Sequence, residues 1–194
     1  MPGIQPLDSE SLKQAMSNGE TKGAEPNDPF ALRARDYERA RQDSRLLTPE
    51  LAARLATLMA PQRFTFFIET PYSVAAALAA TAKRKFEPRP ALSFATLNEA
   101  QVSIVVGHGP KATETDIIEK VVIKRGSAVI QPLRSNLLPI QIQNGFGAVQ
   151  INAQGTFMFP FAVFEPSAPV TIVMIGRAQN FEWTLVPSEL AQMK

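Results

Sequence analysis

The only histidine, His108, sits in Gly107-His108-Gly109-Pro110, with Glu114 and Asp116 shortly downstream. An imidazole beside two carboxylates can act as a general base or hold a cation. Zinc asks for four convergent N, O or S ligands. With one His and no Cys in the chain, this loop is a poor candidate for zinc. The flanking glycines and proline read more simply as turn chemistry. Gly107 to Thr113 lacks the spacing of a phosphate loop, and no Gly-x-Ser-x-Gly elbow occurs. Serine catalysis would have to rely on His108 as its sole base. Paired carboxylates meet in space and not in sequence, so Glu69, Glu99, Glu119, Glu165 and Glu182 are candidates in name only. Most of them read as solvent-facing strand or loop positions. No cofactor and no metal are expected.

Binding chemistry has better carriers. Lys83, Arg84, Lys85 and Arg89 form a basic cluster, with Lys124, Arg125 and Arg134 elsewhere. A helix C-terminus attracts cations in its last turn, which accounts for Lys83 to Lys85 without a ligand. Nucleic-acid binding calls for a stronger charge imbalance and stacking aromatics on a basic face. Phe157, Phe159, Phe161 and Phe164 form a dense aromatic run around Pro160. Core or rim cover is the simpler reading, and a docking patch made of Phe161 and Phe164 is the sharper one. The segment from Pro29 to Leu47 interleaves five arginines with three acids along a thin apolar stripe. Phe30, Arg33, Tyr37 and Arg41 there are the best candidates for contact with a protein partner.

These residues need elements to position them. Asp28-Pro29, Thr48-Pro49 and Thr70-Pro71 each pair an N-cap with proline at the first helical position, and so predict three helix starts. The third helix runs over 71–86, with Val74, Leu78, Ala82 and Phe86 expected on its inner side and its alanines allowing a sheet to approach closely. Arg63 to Glu69 reads as a strand. From Gln101 onward, short apolar runs alternate with Gly, Pro and Asn. Phe181, Trp183 and Leu185 alternate with Glu182 and Thr184, the period-two signature of a half-buried strand. Hairpins are expected across Arg125-Gly126-Ser127 and across Asn144-Gly145. Asp116 to Arg125 also fits a helix, with Asp116 as cap and Gly126 just past its end, but its β-branched content favours a strand over Ile117–Lys124.

The fold expected is mostly β: an antiparallel β-sandwich of Ig-like or Greek-key type with about eight or nine strands. An Ala-rich helix is inserted near its start and a helical extension precedes it. The organisation reads as a flexible polar arm over 1–28, a charged helical pair over 29–62 and a β body over 63–194. Charge follows the same division. Residues 1–28 carry a net −3, residues 29–63 +3, residues 64–90 +2, and the rest is neutral, within a total of +2 over 194 residues.

No run approaches the roughly 18 apolar residues of a membrane span, and the N-terminus lacks a signal-peptide pattern. The compartment stays open, with export after removal of a leader preferred over the cytoplasm. The functional expectation is a non-catalytic structural or protein–protein interaction module, a self-assembling or cell-envelope subunit among its forms. The partner expected is protein, in a homo-oligomer, and not nucleic acid. The alternatives are a carboxylate-based hydrolase or lyase, and a carbohydrate or small-ligand binder using exposed Tyr37, Tyr72 or Trp183.

Overall fold

The computed structural model describes residues 3–23, 27, 64–108, 117–138 and 153–194. Among them are eight strands in two antiparallel sheets, with few helices, and neither sheet closes on itself. The strands are β1 (Phe64–Glu69), β2 (Val102–His108), β3 (Ile118–Arg125), β4 (Ala128–Ile130), β5 (Arg134–Leu137), β6 (Ala153–Phe159), β7 (Val170–Gly176) and β8 (Asn180–Leu185). The helices are α1 (Ser9–Lys22), α2 (Pro71–Arg84), α3 (Phe94–Glu99) and α4 (Pro187–Leu190), and Phe161–Phe164 forms a 3-10 turn. The first sheet has the order β1-β2-β6-β5 and the second β4-β3-β7-β8. Gln131 to Leu133 carries the chain from the edge of one sheet to the edge of the other.

Alternation places the core. Phe66 and Ile68 of β1, Ile104 and Val106 of β2, and Phe157 and Phe159 of β6 are buried from the first sheet. Val121, Ile123, Ile172, Met174 and Leu185 join them from the second in a single hydrophobic cluster. Phe66 and Trp183 meet edge to face with ring centroids 5.4 Å apart, a contact between β1 and β8. The β3–β4 hairpin turns through Gly126-Ser127 with Arg125 opposite Ala128. Gly126 supplies the positive φ of 58° that this turn needs. Arg125, at the end of β3, then reaches across to the 3-10 turn. Its guanidinium donates to the Ala162, Val163 and Glu165 carbonyls and to Ser167 Oγ. A rigid fork of donors is suited to fixing an irregular segment whose carbonyls lack a strand partner.

The N-terminal segment differs from the arm expected of its composition. Ile4 is buried in the β core, and α1 is a full helix with Leu12, Ala15, Met16 and Gly19 buried. Asp8 and Ser11 form a capping box at its start. Few large apolar groups are needed because the partner approaches so closely. A Cβ added at Gly19 would lie 2.1 Å from the backbone oxygen of Ala76 on α2. Ala15, Ala75 and Ala79 fill the rest of this second core, together with Leu7, Leu12 and Met16.

The same contact corrects the expected orientation of α2. Its buried face is Ala75, Ala76, Ala79 and Ala82, while Leu78 is 43% and Phe86 97% exposed. The alanine face turns to α1, because only small side chains let two helix backbones come this near. Helix α3 carries no buried residue and was not signalled by apolar periodicity. Asn98 holds it in place, accepting from Leu7 N and donating to Leu7 O at 2.7 and 2.8 Å. The expected charged helical pair and the Asn144-Gly145 hairpin lie outside the described residues.

Candidate functional site

The residues with the most unusual setting lie where α2 ends. Thr70 opens the helix with a reciprocal capping box to Ser73, and Pro71 follows. Thr70 is itself buried and its hydroxyl donates to the Lys194 carbonyl, which also accepts from Asn27 Nδ2 at 3.0 Å. The start of α2 is therefore fixed on the β body. The helix must stop near Phe86 because Pro88 disfavours helix in the residue before it. It stops with a full Schellman arrangement: Phe86 N donates to the Lys83 carbonyl and Glu87 N to the Ala82 carbonyl. The position that closes this motif takes the left-handed conformation, normally glycine. Here it is Phe86, at φ 57°.

Phe86 is thus an aromatic ring almost wholly in water, held on a backbone conformation that costs a non-glycine residue about 1 kcal/mol. Every residue from Lys83 to Arg89 is exposed. The cations around the ring divide into two kinds. Lys83 Nζ donates to the Glu20 carbonyl at 2.6 Å, and Arg89 pairs with the Glu20 carboxylate at 3.0 Å. They tie the tip to the end of α1 and border a crevice of about 270 Å³ with Ala79, Ala82 and Glu87. Arg84 and Lys85 make no ion pair among the described residues. Arg84 donates only to Thr81 Oγ1 within its own helix. Among the described residues the tip therefore presents one apolar ring beside two cations without an ion pair, with the exposed Glu87 carboxylate following the ring.

The candidate residues named from sequence are distributed as follows. His108 closes β2 opposite Phe64 in the β1–β2 ladder. Its expected companions Glu114 and Asp116 lie outside the described residues, as do Phe30, Arg33, Tyr37 and Arg41. Phe164 is fully buried and Phe161 packs against the same core, so both belong to the interior and its rim. Tyr72 and Trp183 are half-buried. Among the described residues, no group of three or more His, Cys, Asp or Glu is gathered to hold a metal ion.

Of the carboxylates, Glu119 pairs with Arg177 at 3.0 Å, Glu182 with Lys124 at 2.6 Å, and Glu165 lies 4.0 Å from Arg125. Glu69 stands apart. It lies on the first sheet opposite Ser103, and burial raises its carboxyl above the ordinary range. A second carboxylate close by would add its own upward push, whereas burial alone accounts for this one.

Spacing alone assigns Phe86 to the inner side of its helix, whereas the structure leaves it 97% exposed. The signal that could have found it is Pro88, which puts Phe86 past the last helical residue and so off the periodic stripe. No family model, curated protein or solved structure matches this chain.

Proposed function

We propose that the chain is a non-catalytic structural or protein–protein interaction module. In this reading its two sheets pack face to face as a β-sandwich, and the molecule works by contacting neighbouring proteins, a second copy of itself first among them. The sandwich is supported by the single cluster that draws buried side chains from both sheets and by the Phe66–Trp183 contact between them.

The observation that carries association is the apolar exposure of one short stretch. Val129, Leu133, Leu137 and Leu138 are 57%, 59%, 51% and 44% exposed within ten residues of chain. That stretch includes β4 and β5, which sit at the ends of their sheets among the described strands. Single exposed leucines are ordinary, and it is the concentration of four exposed apolar side chains in ten residues that supports a contact surface here. Edge strands add unpaired backbone groups on which a further strand can form. The segment 29–62, with Phe30, Arg33, Tyr37 and Arg41, stays a second contact element on sequence grounds.

Light scattering on the full chain over a range of concentrations tests this. The expected result is an oligomer that dissociates when Leu133, Leu137 and Leu138 are replaced together by serine. A native chain that remains monomeric throughout overturns the reading. Deleting the N-terminal segment is a poorer probe, because it strips Ile4 and α1 from the two cores.

A further inference from the structure

We propose that the tip of α2, formed by Arg84, Lys85 and Phe86, docks on an anionic lipid surface. Three observations converge on it. Phe86 is 97% exposed, more than any other large apolar residue described. It is held in a left-handed backbone position that glycine would occupy without strain, so the fold gains nothing from a phenylalanine there. Arg84 and Lys85 immediately precede it with no ion pair of their own among the described residues, and the region 64–90 carries a net +2. Strain retained at an exposed aromatic points to a use outside the fold.

The shape selects the partner. Protein hot spots bury their aromatic anchors in well-packed pockets with complementary walls. Here Phe86 stands exposed just past the helix end, and the nearby crevice is lined by the Arg89–Glu20 pair. A bilayer deforms around a projecting ring, takes it at headgroup depth, and attracts flanking cations through its negative surface potential. Among the described residues no helix is long and apolar enough to cross a membrane, so the contact is peripheral. One ring with two cations that make no ion pair among the described residues, beside the Glu87 carboxylate, gives weak, reversible binding, of the order expected of a single anchoring signal. Such a contact orients a protein on a surface and leaves the β4–β5 edge available for association.

Cosedimentation of the full chain with phosphatidylcholine vesicles, with and without phosphatidylglycerol, reads this out. Binding is expected only with the anionic lipid and is expected to fall as salt is raised. Arg84→Gln and Lys85→Gln should each weaken it about five-fold. Phe86→Gly should weaken it about ten-fold or more by removing the ring, while raising the thermal midpoint because the strained backbone position is relieved. A purely structural role for Phe86 predicts the opposite change in stability. Equal binding to both kinds of vesicle, no binding to either, or Phe86→Gly binding as well as the native chain overturns the proposal. So does retention of duplex DNA or an acidic peptide, with the same Phe86 dependence, by a chain that ignores vesicles.

Discussion

The β body and the α1–α2 pair are both buried, but by opposite means. The body fills its interior with volume: Phe157, Phe159, Phe164 and a set of isoleucines are fully buried in one cluster that includes residues of both sheets. The helix pair fills its interior with backbone: Gly19 lies against Ala76, and the alanines of α2 replace the large side chains a helix usually buries. A core made of volume fails when side chains are cut. A core made of close approach fails when side chains are added.

Opposite substitutions should therefore do the damage in the two regions. The largest effect is expected in the body. Phe159→Ala removes a fully buried ring and should cost about 3–5 kcal/mol in urea unfolding. A loss below about 1 kcal/mol would mean that the two sheets do not share one packed interior. Next comes Gly19→Ala. In an isolated helix this change is favourable by about 1 kcal/mol. Here the new methyl group meets backbone that cannot rotate away, so a loss of about 1–3 kcal/mol is expected. The sign alone decides: stabilisation would break the contrast between the two cores.

Arg125→Lys sharpens it at the seam between hairpin and 3-10 turn. Lysine cannot reach several carbonyls at once, and a loss of about 1–2 kcal/mol is expected in the same unfolding measurement. An unchanged midpoint would reduce this clamp to an incidental contact.

The smallest effect concerns Glu69, a carboxylate half-buried on the first sheet. Its folded pKa is raised by burial, so the folded state favours the protonated form. That contribution is fully present below the unfolded value near 4.5 and is lost as pH rises through the raised folded value. Glu69→Gln should stabilise the protein at neutral pH and flatten stability against pH through the acid range. Identical slopes for the two proteins would show that Glu69 is solvated like a surface acid.

The contrast between the cores also explains what could be read in advance. Phe181-Glu182-Trp183-Thr184-Leu185 alternates as it must, and Leu185 is buried while Glu182 reaches Lys124 at the surface. The Gly126 hairpin and the Thr70-Pro71 helix start were equally legible, because caps, turns and period-two patterns are local. Spacing assigns Leu78 to the inner side of α2 because hydrophobicity ranks leucine above alanine, but the structure leaves it exposed and buries the alanines. That ranking holds only when the partner leaves room for leucine. The tip residues Lys83 to Lys85 were visible as a cluster, but the exposure of Phe86 was not.

The sequence by itself determined most of the described strands, where α2 begins, and the dry side of an alternating strand such as β8, but not β5, which is exposed along its whole length. These follow from side-chain alternation and backbone preferences within a few residues. Only the tertiary structure decided that α2 turns its alanines to α1, that Ile4 enters the β core, that Arg125 holds the 3-10 turn, and that a phenylalanine ends up in water. Each of those depends on the distance between elements far apart in the chain, and close packing turns differences of one methyl group there into a choice of face.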